Sequence, residues 1–139
     1  MDQSEQLRKR REAIIQAHID GETHMDADEV LATLADDATY ELVGINRTLK
    51  GHDEIRAFLG ILFAAAPGIV HRAARIFHTE TNVIVETETD FPNGFDGKTP
   101  GKIEVMRAVS IFPFDGERSL GERLYSDMSA VVPYLDRVG

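Results

Sequence analysis

Polar and apolar positions follow one rhythm up to Pro67 and another beyond it. In the first part, apolar residues recur three and four apart, the period of a half-buried helix. Leu7, Ile14, Ile15, His18 and Ile19 form one such stripe, with Ser4 as the expected N-cap and Gly21 as the expected end. Asp26 followed by Glu29 has the spacing of a capping box, and it predicts a short helix with Ala27, Val30, Leu31 and Leu34 turned inward. Ala38 to Val43 and Arg47 to Lys50 read as short strands around a turn at Asn46. From His52, the positions Ile55, Phe58, Leu59, Leu62, Phe63 and Ala66 keep helical spacing until Pro67 stops it.

After Pro67 the texture is that of strands. Ile69 to Phe77, Asn82 to Phe91, Lys102 to Phe112 and Leu120 to Ala130 are separated by Thr79-Glu80-Thr81, by the Gly- and Pro-rich run Pro92 to Gly101, and by Asp115-Gly116. Helices followed by an antiparallel meander predict an α+β domain. Its form would be a cone: a curved, mostly antiparallel sheet with the three helices packed on its concave face, enclosing a cavity. The length, 139 residues, is that of one domain spanning 1–139.

Asn82 to Phe91 is a long strand pattern, rich in β-branched residues and without internal Gly or Pro. Val83, Val85, Thr87 and Thr89 share one of its faces, and Ile84, Glu86, Glu88 and Asp90 the other. Two readings of the carboxylate row stand open. It is a solvated face over an apolar core, or it projects into a pocket where burial and like charge raise a carboxyl pKa.

Composition narrows the function. The net charge of -9 repels a nucleic-acid backbone, and no basic stripe with aromatics offsets it. The one basic run, Arg8 to Arg11, reads as a solvated helix face. No segment has the ~18 consecutive apolar residues of a membrane span, so no membrane partner is expected. Zero Cys removes disulfides, thiolate metal sites and a Cys nucleophile, and a cytoplasmic location is the default expectation. His71 and His78 flank a strand without metal-ligand spacing, so no metal site is expected. His18, on the apolar stripe of the first helix, is expected as a core or rim residue of the cavity.

Three stretches together carry a family resemblance. Leu34-Ala35-Asp36-Asp37-Ala38-Thr39-Tyr40, then Gly51-His52-Asp53-Glu54-Ile55-Arg56-Ala57-Phe58, then Gly121-Glu122-Arg123-Leu124-Tyr125-Ser126-Asp127-Met128 resemble the SnoaL-like branch of the nuclear transport factor two-like superfamily, over residues 10–135. The resemblance implies a cone that hosts isomerases, cyclases, hydrolases and non-enzymes. The positions of the ketosteroid isomerase base and oxyanion acid fall at Leu42 and Ser110, and those of the polyketide cyclase Asp and His at Leu124 and Ser110. The limonene epoxide hydrolase pattern keeps Tyr40 and Asp90 and has Glu88 where its Arg would stand.

In the family register, Glu88 and Asp90 face the cavity. The resulting expectation is a small enzyme acting on an apolar molecule by proton transfer without a cofactor, as isomerase, cyclase-type lyase or epoxide-hydrolase-like enzyme. Asp90 would be its base, Glu88 a modulating acid and Tyr40 an oxyanion donor. Leu42, Phe58, Leu62 and Met106 would wall the pocket beside His18, with Ala108, Ser110, Phe112 and Leu124 completing it. The Pro92 to Gly101 loop would overhang the mouth, with Phe91 and Phe95 as lid residues. The alternative is a non-catalytic module that binds a hydrophobic small molecule. Val105, Val109, Ile111 and Tyr125 lie on the opposite sheet face, which the family resemblance makes a homodimer interface.

Overall fold

A computed structural model describes residues 2–128. Ser129 and Ala130, the end of the last expected strand, lie outside the described residues. The fold is the expected α+β cone. Helices α1 (Gln3–Thr23), α2 (Ala27–Leu31) and α3 (Gly51–Ala65) accompany strands β1 (Thr39–Leu42), β2 (Arg47–Lys50), β3 (Val70–His78), β4 (Asn82–Phe91), β5 (Glu104–Asp115), β6 (Arg118–Ser119) and β7 (Gly121–Ser126). The curved sheet runs β2-β1-β7-β5-β4-β3, with β6 on the end of β5. All its pairings are antiparallel except β1 with β7.

Local chemistry explains the boundaries. Asp2, not Ser4, caps α1: its carboxylate accepts from the Glu5 amide at 2.7 Å. The helix runs past Gly21 to Thr23, and that glycine lies under α2, where a Cβ would stand 2.9 Å from the Val30 nitrogen. Asp26 caps α2 as expected, accepting from the Asp28 and Glu29 amides. Glu29 turns away to His24 instead of completing the box. Arg11 departs from the solvated face expected for Arg8 to Arg11. It is 4% exposed, donates to the Gly116 and Glu80 carbonyls, and lies over the Phe114 ring. Those bonds tie α1 to two hairpin turns, a role that only its long cationic fork can fill.

Among the described residues, the core forms two clusters. Val30, Ile55, Phe58, Leu59 and Ile69 centre the one under α2 and α3, and Ile15, Ile19, Val83, Val85 and Phe112 the one under α1. Phe91 and Phe95 pack edge to face, their centroids 5.1 Å apart, against the first cluster. They belong to the core rather than to a cavity lid. No described helix is long and apolar enough to cross a membrane.

Candidate active site

Where the two clusters meet, the cone encloses a cavity of about 80 Å³. His18, Tyr40, Leu42, Phe58 and Leu62 line it from the helices and β1. Met106, Ala108, Ser110, Phe112 and Leu124 line it from β5 and β7. Nine of these ten are the residues the sequence proposed as walls, and Tyr40 is the tenth.

Glu88 and Asp90 are elsewhere. On β4, Val83, Val85, Thr89 and Phe91 are buried, so strand parity turns Glu88 and Asp90 to the opposite face. Asp90 receives two hydrogen bonds from the Arg72 guanidinium, at 2.6 and 3.0 Å, and Glu88 lies 3.6 Å from Arg107. The Arg72 hydrogen bonds hold the Asp90 carboxyl below its ordinary value, the reverse of the raised pKa expected of a cavity pair. The solvated-face reading is therefore the correct one, and Asp90 and Glu88 are not cavity acids.

The cavity holds other ionisable groups. Glu22 projects from α1 one turn after His18, and Glu122 from β7, where the parallel register sets it beside Tyr40. His71 enters from β3 opposite Thr89. His18 Nε2 lies 2.7 Å from Glu22 Oε1, 3.7 Å from Glu122 Oε2 and 3.0 Å from the Tyr40 hydroxyl. The other Glu22 oxygen, Oε2, stands 3.0 Å from His71 Nε2. Ser110 donates to Glu122 Oε1 at 2.7 Å.

Hydroxyl groups fix the imidazoles from behind. The single Thr33 hydroxyl proton goes to the Val30 carbonyl at 2.6 Å, so His18 Nδ1, 3.1 Å from that oxygen, must be the donor. His71 Nδ1 is held by the Thr89 hydroxyl at 2.7 Å.

Charges within this buried volume set one another. Burial pushes the His18 imidazole down, but the Glu22 carboxylate and then Glu122 more than offset it, so its pKa stands above the usual histidine value. His71 behaves likewise, again with Glu22 overcoming burial. Burial pushes Glu22 up, yet His71 and then His18 hold it well below the carboxylate range. Glu122 is raised, chiefly by burial. Burial, then Glu122 and Glu22, push the Tyr40 hydroxyl well above its usual value and keep it a donor. The arrangement can accept a proton, return one, and hydrogen-bond an oxygen.

Sequence reading missed Glu22, Glu122 and His71 as one site. Two signals were present. Glu22 continues the spacing of Ile15, His18 and Ile19, and Glu122 shares the face of Leu124. The β3–β4 register that brings in His71 has no short-range signature.

The chain belongs to the SnoaL-like domain family, whose profile matches residues 15–119. No curated protein matches it. Among solved structures it is similar to a protein from Jannaschia sp. named for its likeness to SnoaL-like polyketide cyclases, with 17% identity, TM-score 0.73, and coverage of 91% of this chain and 92% of that one. A hypothetical protein with a ketosteroid isomerase-like fold from Catenulispora acidiphila, solved with trimethylamine, is 16% identical at TM-score 0.73, over 88% of this chain and 92% of that one. An NTF2-like protein of unknown function from Burkholderia pseudomallei is 16% identical at TM-score 0.74, over 91% and 97%. At such identities the likeness is one of fold.

Proposed function

We propose that the cone is the active site of a small-molecule enzyme of the isomerase or cyclase type, working by acid/base chemistry on a largely apolar substrate. The observation that carries this reading is His71. Its imidazole is anchored at Nδ1 by Thr89, paired at Nε2 with Glu22 at 3.0 Å, and set in a cavity whose other walls include Leu42, Phe58, Leu62 and Met106. Neutral His71, its Nδ1 proton directed to Thr89, takes a proton at Nε2 from carbon beside a substrate carbonyl and returns it elsewhere on the molecule. Glu22 offsets the imidazolium charge, and the Tyr40 hydroxyl hydrogen-bonds the oxygen on which negative charge develops. The family membership and neighbours named for cyclases and isomerases support the same class.

The cavity is smaller than the roughly 300–1,000 Å³ of most ligand pockets. The substrate is therefore small, or the half-buried Leu62 and Met106 side chains move to admit it. The test uses a panel of small aryl and alkyl ketones in deuterated water, with NMR reading both the Met106 methyl shift and deuterium entering the ketone. Binding with exchange that His71→Gln lowers by roughly 10²–10⁴-fold supports the enzyme reading. Methyl shifts without exchange from any ketone would favour the non-catalytic binding module instead.

A further inference from the structure

We propose that His18, Glu22 and Glu122 form a binding site for one divalent first-row transition metal ion. The inference concerns the same cavity but does not require it to be catalytic.

The first ground is a contact that either a proton or a metal ion has to bridge. Because His18 Nδ1 carries a proton for Thr33, a neutral His18 presents the Nε2 lone pair to Glu22 Oε1 at 2.7 Å. Two electron pairs at that distance repel unless a proton or a metal ion stands between them. The second ground is convergence. One ligand atom from each of the three residues lies within 4.8 Å of the other two, and all three side chains are largely buried. Metal bonds of about 2.0–2.2 Å give edges of about 3–3.5 Å between ligand atoms, so the 2.7 and 3.7 Å separations need only small shifts. The 3.7 Å gap between His18 and Glu122 is too long for a hydrogen bond and short enough for a shared ion.

The third ground is support from the next layer. Thr33 orients His18 and Ser110 holds Glu122 Oε1, the outer contacts that metal-binding imidazoles and carboxylates need. Glu22 serves the ion through Oε1 and still meets His71 through Oε2. Two carboxylates neutralise a dication, and one imidazole with two carboxylates suits zinc, manganese or iron(II) better than magnesium, which keeps its waters.

The experiment strips the full chain with chelator, then titrates zinc by calorimetry and cobalt(II) by visible absorption. The expected result is one saturable site per chain and the d–d bands of a four- or five-coordinate cobalt ion. Glu122→Gln and Thr33→Val should each weaken zinc binding about 10–100-fold. His24→Asn, in the exposed pair with Glu29, should leave it unchanged. A hexa-aquo cobalt spectrum, or binding that survives Glu122→Gln and falls with His24→Asn, overturns the proposal. Should Glu122→Gln not fold, the wild-type cobalt spectrum decides alone. Metal bound without ketone exchange would support this inference and count against the enzyme reading. Exchange in a chain that binds no metal would do the reverse.

Discussion

Glu22 is the residue on which the buried charges balance. It is flanked by two imidazoles, and its removal leaves both without their main counter-charge. Glu22→Gln should therefore destabilise the fold at neutral pH by about 3 kcal/mol, measured by denaturant unfolding, because breaking a buried pair strands the remaining charge. The same groups set a pH dependence for the chelator-treated chain. Glu22 has a folded pKa below its unfolded value near 4.5, so its contribution is present above that pH and is lost as pH falls. His18 and His71 have folded values above 6.5, so theirs is complete below 6.5 and is lost as pH climbs through the folded values. Glu122, raised by burial, also costs stability above 4.5. Stability should peak between about pH 4.5 and 6.5 and fall on either side. A flat profile, or a maximum near pH 8, would contradict the charge assignment. At this scale the sequence was only half legible: parity gave the two faces of β4 but not which one met the cavity. The contacts with Arg72 and Arg107 that decide it come from strands that are neighbours only after folding.

Elements place these residues, and the parallel pairing of β1 with β7 is the critical one. It sets Tyr40 opposite Glu122 and starts at Gly121, whose φ is +131°. A Cβ there would collide with the Thr39 backbone. Gly121→Ala should cost at least about 3 kcal/mol of stability, from strain and from lost pairing. An unchanged unfolding midpoint would show that β7 does not need this approach. Much at this level was readable beforehand. Asn82–Phe91 and Arg47–Lys50 have the expected limits because β-branched runs are bounded by turn residues. The β6 hairpin was not foreseen, since two residues carry no periodicity. Nor was the buried service of Arg11, because a stripe counted from apolar residues alone passes over a charged residue that folds into it.

At the scale of the molecule, the outer sheet face exposes apolar side chains in a patch. Val105 and Tyr125 are each 45% exposed, with Val109 and Phe77 also uncovered. A homodimer through this face remains our expectation from the sequence. Sedimentation velocity at micromolar concentration should give a dimer, and Val109→Glu should convert it to monomer. A wild-type monomer would remove the expectation. On the function we propose, chemistry resides in the His71–Glu22–Tyr40 corner of the cone and not in the carboxylates of β4. The most direct measurement is deuterium exchange into the ketone panel by three proteins side by side: wild type, His71→Gln and Asp90→Asn. Exchange that falls by at least roughly 10²-fold in His71→Gln and is unchanged in Asp90→Asn is the predicted result. Exchange that persists in His71→Gln, or is lost in Asp90→Asn, would contradict it.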